Sequence, residues 1–224
     1  MKHSYDFNIE QIKNLSLEEK TFRQKNLDLF YKSGFPSKKV EDWKFTDLDV
    51  ILNKNFKSIS NEINFKPDEK LEIIKNFKHN YIFLINGKII STSFVYEEKN
   101  KILIKDFDQK EAANFYLANT LTLLNSALSS GGFSLEISKN YKLNKPLVIY
   151  NYFSKGLKNK ILNNKNSIKL HKGAELILID YNAGELQNNF IKNTVDTVSL
   201  DESAILKSIL IQNSKSNGHF YKYI

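Results

Sequence analysis

At 224 residues the chain is long enough for one large domain, or for a small domain joined to a larger one. Its 41% hydrophobic content, with 16 Phe and 11 Tyr, can build a core and excludes global disorder. The formal charge of +8 raises the question of nucleic acid, but Arg23 is the only arginine among 33 basic residues. Forks that grip phosphates and base edges are chiefly the work of arginine, so no nucleic-acid partner is expected. The absence of cysteine excludes disulfides, a thiolate nucleophile and thiolate metal ligands.

The first residues, Met1-Lys2-His3-Ser4-Tyr5-Asp6, lack the apolar h-region of a signal peptide. The longest apolar runs, 81–85 and 176–179, are too short to span a bilayer. A soluble, cytoplasmic protein with no membrane partner is expected. Residues 1 to about 35 read as helical. Ser16-Leu17-Glu18-Glu19 forms a capping box, Phe22, Leu29 and Phe30 fall on one face at i, i+7 and i+8, and Gly34 with Pro36 supplies the stop.

The next stretch, Glu41-Asp42-Trp43-Lys44-Phe45-Thr46, carries the sole tryptophan. Burying Trp43 would remove ~150–250 Å² from water, worth roughly 4–6 kcal/mol before entropy. It is read as an aromatic anchor for a loop, with the acids capping a short helix. The alternative makes Glu41 and Asp42 an acid–base pair, but adjacent helical residues diverge by about 100°, which suits one substrate badly. Pro67-Asp68-Glu69 reads as a helix start. Asn86-Gly87, between the runs of 81–90, is the strongest hairpin signal because both residues tolerate positive φ. A helix is predicted from about 111 to 129, with Leu117, Leu121, Leu124 and Leu128 in one stripe, and Gly131-Gly132 as its stop.

From Phe133 onward strand follows strand: 133–138, 147–153, 166–170, 175–181, then the 190s to 212. Asn163-Asn164 and Asn182-Ala183-Gly184-Glu185 read as exposed turns. Within this region Ile168, Leu170, Ala174 and Leu176 recur as Val198, Leu200, Ala204 and Leu206, each 30 residues on (198 − 168, 200 − 170, 204 − 174, 206 − 176). A unit repeating at such a period stacks on its neighbours, because one copy cannot bury its apolar face alone. The expected fold is mainly β with an N-terminal α/β region: residues 1–130 helical and small α/β, residues 131–224 the first coils of a parallel β-helix. An antiparallel sandwich also fits this pattern. Residues 217–224 alternate like a strand without a cap, so a solenoid truncated at its C-terminus is expected, self-associating through an open edge.

Candidate chemistry is sparse. Of His3, His79, His171 and His219, only His219, inside the last strand, is a weak metal candidate. No phosphate-binding glycine loop occurs, so neither ATP nor a dinucleotide is expected to bind that way. Glu175, Asp180, Asp196 and Asp201 are carboxylates a carbohydrate-active β-helix enzyme would need. Glu175 and Asp180, however, differ by an odd number and belong to opposite strand faces. No catalytic residue is assigned.

The run Glu41-Asp42-Trp43-Lys44-Phe45-Thr46-Asp47-Leu48 resembles the N-terminal signature of the SufD family, in which a Gly-Pro turn leads into an acidic-Trp-basic-aromatic-Thr segment. Asn86-Gly87 is similar to the family's early hairpin. Leu124-Asn125-Ser126-Ala127 is similar to its Leu-Asn-x-Ala segment, and Lys145-Pro146-Leu147-Val148-Ile149 and the turns at Ala174 and Ala204 fit the same pattern. Parts of the signature are shared with the SufB paralogue; SufD rather than SufB rests on the early Trp segment and the short N-terminal half. The resemblance implies a non-catalytic scaffold subunit of an iron–sulfur cluster assembly complex, with a SufB-like paralogue and a SufC-like ATPase as partners. It implies no cofactor held by this chain alone, the cluster being handled by the assembled complex. Glu41, Asp42, Trp43, Phe45 and Thr46 are then structural motif residues. The family's functional histidine and ATPase-docking helices find no positions here. The alternative function is a β-helix carbohydrate-active enzyme or binding protein.

Overall fold

The computed structural model describes residues 5–56, 58–61, 73–107, 119–184, 189–214 and 218–224. In chain order its elements are β1 (Tyr5–Asp6), α1 (Leu17–Ser33), α2 (Leu48–Asn55), β2 (Ile59–Ser60), β3 (Asn80–Ile85), β4 (Lys88–Ser93), β5 (Ile102–Asp106) and α3 (Thr120–Leu128). Then come β6 (Phe133–Ile137), β7 (Leu147–Tyr152), β8 (Ile161–Leu170), β9 (Glu175–Gly184), β10 (Phe190–Leu200), β11 (Ile205–Ser214) and β12 (Gly218–Tyr223).

From β6 onward, consecutive strands alternate between two five-stranded sheets, ordered β12-β10-β8-β6-β5 and β11-β9-β7-β3-β4. Each strand from β8 to β12 pairs in parallel with the strand two before it. Among the described residues, antiparallel pairing is confined to β3–β4 and β5–β6 at the opposite end of the stack. This alternation overturns the antiparallel sandwich. It is what a chain does when each turn buries its apolar face on the turn before. The 30-residue echo is the register itself: Ile168 pairs with Val198, Leu170 with Leu200, and Leu176 with Leu206. The result is an N-terminal α/β region followed by mixed, mostly parallel sheets of solenoid-like winding.

Alternation along the strands sends Ile82, Leu84, Leu135, Ile137, Leu147, Ile149, Ile168, Leu170, Leu176 and Leu178 between the sheets, where they form one buried cluster. A second core joins the helices to the first sheet: Phe7, Leu27, Phe30, Phe35, Leu48 and Leu52 pack with Leu121, Leu124 and Leu128 of α3 and with Ile161 and Ile191. Leu117 and the predicted helix start at Pro67-Asp68-Glu69 lie outside the described residues.

The capping box at Ser16 is present, with Ser16 N donating to Glu19 Oε2 (2.8 Å) and Glu19 N to Ser16 Oγ (3.2 Å). Gly34 ends α1 at φ +71. The buried stripe of α1, however, is Arg23, Asn26, Leu27 and Phe30, while Leu29 is exposed. Arg23 explains the shift: its guanidinium donates to the carbonyls of Ala127 and Ser129 (2.9 and 3.0 Å), satisfying the C-terminal end of α3. A charged group on the inward face defeats a reading based on apolar spacing alone.

The asparagine turns are also corrected. Asn163 and Asn164 lie within β8 and Asn182 within β9, all buried. Their polar groups are used inside the fold, since Asn193 donates to Asn163 Oδ1 (2.8 Å) and Asn125 donates to the carbonyls of Asn164 and Asn193 (both 2.9 Å). Turn propensity yields where buried amides bond across strands, as Asn125 and Asn193 do through their Nδ2 groups. Gly131-Gly132 does more than stop a helix. Gly132 N donates to Gly87 O (2.8 Å), Lys165 N donates to Gly131 O (3.0 Å), and a Cβ on Gly132 would lie 1.6 Å from Lys165 O. Three backbones meet there, and only glycine fits.

Candidate functional site

The Trp-bearing segment forms a tight turn. Glu41 to Trp43 make one 3₁₀ turn, Thr46 N donates to Trp43 O (2.7 Å), and Asp47 caps α2 through Val50 N (3.1 Å). Trp43 is half-buried rather than enclosed, and its ring lies 5.8 Å from that of Tyr221 on β12. The full-burial energy is therefore an overestimate for this side chain. Phe45 is 88% exposed, with the Lys44 ammonium 5.3 Å from its ring centroid. Glu41 accepts from Lys44 (2.7 Å), and Asp42 points to solvent. Nothing brings Glu41 and Asp42 together on one substrate, and Thr46 only closes the turn.

Sequence reasoning missed a charged layer between the sheets. Above the apolar cluster, Asp180 on β9 and Asp196 on β10 are both bound by Lys222 of β12, at 2.8 Å each. Asn151 donates to Asp180 Oδ1 (2.7 Å) and Asn166 donates to Asp196 Oδ1 (2.7 Å). Lys192 donates to Asn182 Oδ1 (3.0 Å) and lies 5.5 Å from the Phe153 ring centroid. A plug of Phe153, Leu157, Leu162, Phe190 and Phe220 closes the layer. Burial works against the Lys222 ammonium, but Asp196 and Asp180 outweigh it and raise its pKa. For Lys192 burial wins, and its pKa is lowered.

Of the carboxylates singled out in the sequence, only Asp180 and Asp196 are thus brought together, and Lys222 bridges them. Glu175 is on the outer face, paired with Lys142. Asp201 lies 3.4 Å from His171 Nδ1, whose Nε2 faces Glu136 at 3.4 Å. His219 packs 5.6 Å from the Phe56 ring, and burial lowers its pKa. Among the described residues, no three His, Cys, Asp or Glu side chains converge as a metal site. The signal for the layer was available: Asp196 and Asn166 are 30 apart (196 − 166), like the apolar echo.

Lys165 and Ser126 are buried at 3.1 Å, with burial and then Arg23 bringing the lysine down to about 8. A lysine–serine pair can activate a nucleophile, but both residues are under 4% exposed and have no path to a substrate. Two adjoining cavities, of about 370 and 450 Å³, share Ile12, Lys13, Lys88 and Ser130. The second also contains Glu19 and Asp106, so its charge is mixed.

Among the described residues, β11 and β12 end their sheets and each has one strand neighbour. Ile205, Ile209, Leu210 and Ile211 of β11 are exposed. Geometry therefore defines a protein of stacked, mostly parallel strands, whose buried polar groups hold strands together and whose outermost strands, β4 and β5 at one end and β11 and β12 at the other, each have one strand neighbour among the described residues.

Sequence comparison agrees with that class. The family model described as SufBD protein N-terminal region matches residues 3–149, and the chain belongs to this family. It is also similar to the iron-sulfur cluster assembly protein SufD of Escherichia coli (strain K12), 20% identical over 205 residues, covering 89% of this chain and 48% of that protein. The chain spans about half the length of this curated relative. No helix among the described residues is long and apolar enough to cross a membrane.

Proposed function

We propose that this chain is a SufD-like scaffold subunit of a cytoplasmic iron–sulfur cluster assembly complex, binding a SufB-like paralogue and a SufC-like ATPase and performing no catalysis itself. Residues 131–224 are then the first coils of a right-handed parallel β-helix, and residues 1–130 the helical and α/β region that precedes them. Glu41, Asp42, Trp43, Phe45 and Thr46 serve as structural motif residues, with His219 a strand residue rather than a ligand. The cluster is cargo of the assembled complex; these 224 residues, without cysteine, offer it no thiolate ligand.

The observation that carries this reading is the SufBD family match over residues 3–149, joined to strands that from β6 onward wind alternately into two mostly parallel sheets. The carbohydrate reading is weaker, because Asp180 and Asp196 are buried and already bound by one lysine. Co-expression with SufB-like and SufC-like proteins, followed by affinity pull-down of the tagged chain, tests the proposal. Co-elution of either partner is expected; recovery of neither would sink it.

A further inference from the structure

Among the described residues strand β12 has one strand neighbour, β10, yet its side chains report alternately to two unrelated layers. Facing inward, Phe220 packs 5.5 Å from Phe153 and 5.6 Å from Phe190, and Lys222 holds the two aspartates. Facing outward, His219 meets Phe56 just beyond α2 (5.6 Å), and Tyr221 meets Trp43 (5.8 Å). Both outward contacts come from one short stretch, residues 41–56. They cross most of the chain: Trp43 and Tyr221 are 178 positions apart (221 − 43).

We infer that the Trp-bearing turn and α2 brace β12, so that the segment 41–56 positions the edge strand of the first sheet rather than building a chemical site. Three observations agree. Trp43 is only half-buried and Phe45 almost fully exposed, so the Trp-bearing turn is no core plug, while Leu48, Leu52 and Phe56 anchor the rest of the segment in the core. The rings are within the range at which aromatic pairs attract beyond simple area burial. Burial pushes the Tyr221 hydroxyl up to about 12, as a ring closed in by its neighbours requires. A strand with one hydrogen-bonded neighbour opens readily unless side chains hold it, and among the described residues the outer ring contacts of His219 and Tyr221 come from the N-terminal region.

This brace rests on geometry alone; its consequence for partners rests on the scaffold reading above. The test is hydrogen exchange with mass spectrometry on the full chain and on Trp43→Ala, Trp43→Phe, Phe56→Ala and Tyr221→Ala. Trp43→Ala and Phe56→Ala are expected to cost peptides covering 218–223 at least tenfold in protection. Peptides from β6 and the Ile168–Leu170 end of β8 should change less than twofold. Trp43→Phe keeps a ring and retains most of the protection. Tyr221→Ala, which leaves the N-terminal region untouched, supplies the same readout should Trp43→Ala fail to fold. A uniform loss across β6, β8 and β12, or no loss at β12, overturns the brace. In the pull-down, Trp43→Ala should recover less partner than the unaltered chain. If the unaltered chain recovers none, the scaffold reading falls while the exchange data still decide the brace.

Discussion

Glu97 shows how single residues hold this fold. Its carboxylate accepts from Asn80 Nδ2 (2.6 Å), the Tyr141 hydroxyl (2.8 Å), and the backbone amides of Asn144 (3.0 Å) and Lys145 (3.1 Å). Burial pushes its pKa up, but those hydrogen bonds outweigh it and hold it below the ordinary 4.5. A depressed carboxylate stabilises above its unfolded pKa, and the contribution is lost as pH falls through the folded value. Glu97→Gln should therefore cost about 1–2 kcal/mol at pH 7, discounted for partial exposure. The gap to the unaltered chain should close in urea titrations as pH drops below 4.5. Lys165 has the opposite sign. With its pKa lowered to about 8 from 10.5, the unfolded chain binds more protons between those values, so stability from this group rises with pH there. Replacing Lys165 with Met should flatten that rise, read by denaturation at pH 7.5 and about 9.5. Lys222 is the third case: removing it strands two buried carboxylates, and Lys222→Met should cost roughly 3 kcal/mol in chemical denaturation.

At the scale of elements, the β3–β4 hairpin ties the two sheets together at its turn. Asn86 and Gly87 have φ of +49 and +76, the geometry that two-residue turns demand. Asn86 also bonds Ser154 in both directions, at 2.7 and 3.0 Å. Gly87 lies against Asn164 of β8, so close that an added Cβ would fall 2.2 Å from its Oδ1. Gly87→Ala thus meets two penalties, a left-handed backbone and a displaced buried amide, expected together to cost about 2 kcal/mol or more. Thermal melts of Gly87→Ala, Asn164→Ala and the double variant check this. The double variant should lose less than the sum of the two, because removing the amide removes the collision. Additive losses would show that Asn164 is not what the glycine accommodates.

The whole molecule is a stack with unlike ends. Antiparallel β4 and β5 form one end and parallel β11 and β12 the other, each with one strand neighbour among the described residues, and β11 exposes Ile205, Ile209, Leu210 and Ile211. Without partners the chain should self-associate with rising concentration, and light scattering after gel filtration is the check; a monodisperse monomer at high concentration would argue against it. The sequence by itself determined the 30-residue register, the Asn86-Gly87 turn, the capping box and the SufBD-type signature. Those features are local, set by residue spacing and turn chemistry that operate over a few neighbours. Tertiary structure alone decided that Asp180, Asp196 and Lys222 share one layer, that Arg23 caps α3 from another helix, and that Trp43 reaches Tyr221. The 30-residue spacing marks Asp196 above Asn166 but not these partners from other elements, because the low dielectric that makes buried charges seek partners exists only once the sheets have closed around them.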